Sequence, residues 1–198
     1  MLWRLQRETE PFHASAAADR LSVMSSVPPP ENYVAYLARI YGFEAPVEKA
    51  IAMTLCAEPW FDARGRNQIK LLRADLMVLG IVDPGSLPRC GGVVPFGSAA
   101  TALGWMYVVE RNALVHGLIE RHLRSQLLDR FKLPGSYLAP QPRSSGTRWR
   151  ELGEALDRVA SDPGEGDAII RAARIAFRCQ HGWFDLAMPA RQPARLHV

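Results

Sequence analysis

One periodicity runs through nearly the whole chain. Apolar residues return every three or four positions, and no stretch alternates with period two for long enough to make a strand. Tyr33, Val34, Leu37, Ile40, Tyr41, Val47, Ile51 and Leu55 form one such stripe. The pattern leaves helices as the building elements and predicts an all-α fold. Proline and glycine set the breaks. Pro28, Pro29 and Pro30 end whatever precedes that stripe, and Pro46 is expected to kink it or divide it in two. A segment from Ile69 to Leu79 stops at Gly80. Residues 83–98, with Pro84, Gly85, Pro88, Gly91, Gly92, Pro95 and Gly97, read as a connection. Ser98 is placed to cap the longest helix, about Ala99 to Phe131, which Pro134-Gly135 ends. Trp149, Leu152, Leu156 and Val159 mark a further helix, closed by Pro163-Gly164, and the last runs from about Gly166 to Leu186. The expectation is one domain of six to eight helices over residues 1–188, followed by a polar tail at 189–198.

Composition narrows the function. The chain has 198 residues, 48% of them hydrophobic and 22% charged, with a net charge of +4. No apolar run approaches the roughly 20 residues that cross a bilayer, and the N-terminus has no apolar signal core. Cys56, Cys90 and Cys179 are far apart, which argues against a disulfide framework or a cysteine zinc site and favours a reducing cytoplasm. Ten basic and ten acidic side chains cancel over residues 1–100, so the excess lies in the second half. There the arginines alternate with Glu and Asp at helical spacing, as on a solvated face, so neither nucleic acid nor membrane is an expected partner.

All-α domains often hold a cofactor in their interior, which directs attention to the histidines. His116 and His122 are six apart, about 240° around a helix, and cannot share a metal on one straight helix. His181 reads as a histidine near a helix C-terminus, and His197 lies in the tail. Glu10 and His13 make a Glu-x-x-His pair, but the second such pair of a di-iron site does not occur in the chain. Thr9-Glu10-Pro11-Phe12-His13 looks like a helix start, with Thr9 as cap and Pro11 in the first turn, which places His13 just inside. No nucleophile elbow, phosphate-binding loop or dinucleotide fingerprint is present.

The segment from Ala102 to Leu123 contains Ala102-Leu103-Gly104, Tyr107-Val108, Glu110 and Ile119-Glu120-Arg121-His122-Leu123. It resembles the distal helix of bacterial heme oxygenases. Thr9-x-Pro11-x-His13 resembles their proximal segment. Tyr36-Leu37-Ala38, Tyr41-Gly42-Phe43 and Ala45-Pro46-Val47-Glu48 are similar to their second helix, and Asp75-Leu76 with Leu79-Gly80 to the step that follows. Trp149-Arg150-Glu151-Leu152 and Ala173-Arg174-Ile175-Ala176-Phe177 resemble their last two helices. The resemblance implies a heme-oxygenase-like bundle in which heme, substrate and cofactor at once, lies between proximal and distal helices. It implies cleavage of heme to biliverdin, CO and iron with an external electron donor. His13 is then the iron ligand, Arg174 a partner for the propionates, and Asn112 the holder of a distal water.

The chain departs from that family at one place. After the glutamate the bacterial pattern reads Gly-Ser-x-Leu-Gly-Gly, whereas this chain has Arg111-Asn112-Ala113-Leu114-Val115-His116. A missing Cβ is what lets a backbone approach a ring closely, so Arg111, Val115 and His116 crowd the ring, and Gly117 takes over only if the register shifts. Three outcomes are open. The pocket is displaced and heme is still oxidised, His116 closes the sixth iron position, or the pocket is filled. The last would make the protein a catalytically silent relative that binds heme weakly, another tetrapyrrole or a protein partner. For His116 a fourth placement, turned away from the pocket, is equally consistent with the sequence.

Overall fold

The structure, a computed structural model, describes residues 1–22, 30–55, 60–62, 66, 68–127, 136–139 and 145–186. Cys56, Pro134-Gly135, His197 and the predicted end of the long helix at Phe131 fall outside them. Among the described residues the elements are helical throughout: α1 (Leu2–Leu21), α2 (Pro30–Leu55), α3 (Ile69–Val78), a 3-10 turn (Pro84–Ser86), α4 (Ala99–Ala113), α5 (His116–Leu127), α6 (Ser145–Val159) and α7 (Glu165–Asp185). The all-α expectation holds. No described helix is long and apolar enough to cross a membrane.

The centre of the bundle is α4, buried on nearly every face from Ala100 to Val108. Ser98 starts it, its hydroxyl accepting from the Thr101 amide at 3.2 Å. The helix lies against α7 along most of its length, and against α2 and α6 on its other sides. Gly104 makes the α7 crossing possible: a Cβ there would stand 2.5 Å from the Ile169 carbonyl and 2.7 Å from the Ala172 Cβ. One core joins α1, α4, α6, α7 and the second half of α2. A smaller one gathers Tyr33 to Tyr41 of α2 with α3, α5 and Tyr137.

Three expected boundaries move. The first helix begins at Leu2 and runs through Pro11 instead of starting at Thr9. Its buried stripe, Leu5, Thr9, Ala16 and Arg20, holds it across the proline, and the Thr9 hydroxyl bonds back to the Leu5 carbonyl at 2.7 Å. Pro46 lies inside an unbroken α2, whose stripe is buried both before and after it.

The predicted long helix is broken instead. Leu114 and Val115 bond back only three residues, to Arg111 and Asn112 at 3.1 and 3.3 Å, a tightened turn that redirects the chain between α4 and α5. No glycine makes the bend. It is fixed from outside, by Asn112 bonded to Gln180 of α7 before it and by His116 packed on Tyr137 after it.

Candidate functional site

The α4–α5 break faces α1 across a small cleft of about 80 Å³. Its walls are His13, Ala16, Ala17 and Arg20 on one side and Arg111, Asn112, Leu114 and Val115 on the other. His13 is half-buried, with its ring 5.7 Å from that of Phe177 and its Nε2 2.9 Å from the Thr9 hydroxyl. Burial, and then the positive charge of Arg111, lower its pKa. Asn112 is buried and donates its amide to Gln180 at 2.7 Å; Gln180 in turn donates to the Ala16 carbonyl at 3.5 Å. One α7 side chain therefore ties both walls together.

Arg20 closes the inner end. Only 1% exposed, it pairs with Glu44 of α2, while its Nε and Nη1 have no hydrogen-bond partner among the described residues. Glu44 also accepts from the Tyr137 hydroxyl at 2.7 Å, and the Tyr36 hydroxyl donates to the Arg20 carbonyl at 2.9 Å.

A second cavity of about 100 Å³ lies between α4, α2 and the start of α6. It is lined by Glu44, Glu48, Arg66, Glu110, His116, Tyr137 and Arg148 among others. Glu110 accepts from Arg66 at 2.7 Å and from both Nε and Nη2 of Arg148, at 2.9 and 2.7 Å. Glu48 takes the Gln68 amide at 2.9 Å and that of Ile69 at 3.3 Å, capping α3, and burial pushes its pKa up to about 8. His116 is 7% exposed, its ring 4.6 Å from Tyr137 and its Nε2 without a hydrogen-bond partner among the described residues.

The anticipated site residues thus separate. His13, Arg111, Asn112 and Val115 line the cleft, and His116 lines the other cavity. Gly117 has nothing closer to its missing Cβ than Arg121 Nη1 at 3.9 Å. Arg174 clasps the Glu8 carbonyl at 3.1 Å and its carboxylate at 3.4 Å, fastening α7 to α1. Sequence reasoning missed Arg20, Glu44 and Tyr137. For Arg20 there was a signal, because it continues the buried spacing of Leu5, Thr9 and Ala16.

The neutrality of His116 has a measurable consequence. Burial, and then the charges of Arg20 and Arg148, lower its pKa to about 3. An unfolded histidine protonates near 6.5, so between those values the unfolded chain binds the extra proton and stability falls as the pH falls. Glu44, Glu48 and Glu110 share the cavity and add their own titrations, so the comparison must be with a variant. In urea titrations from pH 7 to 4.5, the protein should lose about 1 kcal/mol per pH unit relative to His116→Leu below pH 6. Parallel profiles would show that His116 is protonated in the fold.

The helix order, the break between α4 and α5 and the close α4–α7 crossing make an all-α bundle. The structure aligns with the crystal structure of the NO- and CO-bound heme oxygenase from Neisseria meningitidis with a TM-score of 0.70. That alignment covers 98% of this chain and 96% of the other, at 24% sequence identity. No protein-family model matches the chain, and no curated protein matches it in sequence. The likeness establishes the fold.

The donors around the cleft fit a heme. They are a half-buried imidazole, two arginines of which one has N–H groups unpartnered among the described residues, and an interrupted helix opposite. The room is smaller than the roughly 300 Å³ or more typical of cofactor pockets. A porphyrin would displace Arg111 and Leu114, the latter already 49% exposed.

Proposed function

We propose that this protein binds heme in the cleft between α1 and the α4–α5 break, with His13 as the iron ligand, and cleaves it oxidatively to biliverdin, CO and iron. The observation that carries this reading is the half-buried imidazole of His13 facing Arg111, Asn112 and Val115 across the break. When bound, heme supplies both the iron that activates oxygen and the carbon that is oxidised, with electrons from an external donor. The chain's own residues hold and orient it. Phe177 backs the His13 ring, and Arg20, at the inner end of the cleft, offers positive charge to the carboxylates. Asn112, held by Gln180, keeps the opposing wall in place. The oxidative step is supported by likeness of fold.

The narrow cleft favours a second reading, a heme-oxygenase-like protein that turns nothing over, with Arg111, Leu114 and Val115 filling the space. A hemin titration followed by absorbance separates the two. The first reading expects a saturable Soret band, affinity weakened roughly tenfold or more in His13→Ala, tighter binding in Arg111→Gly/Val115→Gly, and biliverdin once reductant and oxygen are added. A band indifferent to His13, or none, supports the second.

A further inference from the structure

Two cysteines 89 residues apart in sequence lie with their sulfurs 3.4 Å from each other. Cys90 belongs to the connection that leads into α4, and Cys179 to α7. That connection is seated firmly. The Cys90 amide donates to the Gly42 carbonyl at 2.9 Å, and the Arg89 guanidinium lies 4.1 Å over the Tyr41 ring. Gly92 turns the chain directly against Cys179, whose sulfur would be 2.7 Å from a Cβ at that position. Cys90 is buried and Cys179 is partly exposed, which gives a small oxidant a way in.

The local polarity divides the work between them. The hydrogen bond from the Cys179 thiol, followed by the Gly92 and Val93 amides, draws the Cys90 pKa down to about 7, while Cys179 is shifted upward and keeps its proton. A thiolate beside a protonated neighbour is the pairing that peroxide chemistry uses.

We propose that Cys90 and Cys179 are a peroxide-oxidisable pair that closes to a disulfide, fastening the 87–98 connection to α7. The Cys90 thiolate attacks one oxygen of hydrogen peroxide; the S–O bond forms as the O–O bond breaks. The departing hydroxide takes the Cys179 proton and leaves as water. The Cys179 thiolate then attacks the Cys90 sulfur, forming S–S and breaking S–O, and the second hydroxide leaves as water with a proton from solvent. The two sulfurs lose two electrons and peroxide becomes two waters. The step does not depend on heme.

The test uses the full chain carrying Cys56→Ser, reduced and then treated with one equivalent of hydrogen peroxide. Expected are loss of both thiols, a mass decrease of about 2 Da, a linked Cys90–Cys179 peptide after digestion, and a Tm higher by roughly 5–10 °C that dithiothreitol reverses. Cys179→Ser should halt at a sulfenic acid on Cys90 that dimedone traps, and Cys90→Ser should leave Cys179 unreactive. Retention of both thiols, added oxygen without a link, or crosslinking only between molecules would overturn the proposal.

Discussion

Arg20→Met is expected to cost about 3–5 kcal/mol, a large share of the 5–15 kcal/mol that holds a domain of this kind together. Arg20 is 1% exposed and Glu44 2%, so removing the arginine strands a carboxylate in the interior. The Tyr137 hydroxyl, 2.7 Å from Glu44, gives it a hydrogen bond but no charge. The loss therefore reflects an uncompensated buried charge more than the worth of the ion pair, and a second substitution should show it. Arg20→Met/Glu44→Gln retains an acceptor for Tyr137 and removes the charge, so it should recover most of the stability. Urea midpoints of the wild type, both single variants and the double variant measure the coupling. Additive losses would mean that Arg20 and Glu44 are not paired in the fold.

The second large effect comes from one missing Cβ. Gly104→Ala should destabilise by about 3 kcal/mol, whereas the same change at Gly117 should stabilise by roughly 0.5–1 kcal/mol. The chemistry of the two substitutions is identical and only the surroundings differ. At 104 the new methyl meets the Ile169 carbonyl at 2.5 Å and the Ala173 amide nitrogen at 2.9 Å. These are backbone atoms of α7, which cannot turn aside as a flexible side chain would, so the α4–α7 crossing must open. At 117 the nearest atom is the end of the Arg121 side chain, 3.9 Å away, and only helix propensity remains. Because Phe177 and Gln180 of α7 stand behind His13 and Asn112, the Gly104 variant should also weaken any ligand held in the cleft. Equal stability changes in the two variants would remove Gly104 from the helix crossing.

The helices were legible because their signal is local. A buried stripe at 3.6-residue spacing is visible in α2 from Tyr33 to Leu55, and Ser98 announces the start of α4 by its own hydroxyl. The likeness of fold was legible from the same short segments, read in order. The failures share a cause. Pro11 lies in the middle of α1 instead of its first turn and Pro46 does not divide α2, since burial of stripes on both sides outweighs one lost hydrogen bond each. The bend after Ala113 carries no local mark at all, being fixed by Gln180 on α7 and Tyr137 on another segment.

The same division runs through the candidate site. The residue types that face the cleft, a histidine on the first helix and an Arg-Asn pair after Glu110, stand in the sequence in plain order. Which wall His116 joins is a matter of one turn of direction at Leu114-Val115, and the tertiary structure turns it toward Tyr137. Nothing beside Arg20 in the chain names Glu44 of the neighbouring helix as its partner, and Cys90 and Cys179 read as unrelated thiols. Periodicity and capping act within a few residues, so the helical segments, their order and the family they resemble can be read along the chain. Which charges pair, where the long helix bends and which two sulfurs touch depend on atoms brought together from tens of residues or more away, and they emerge with the packed bundle.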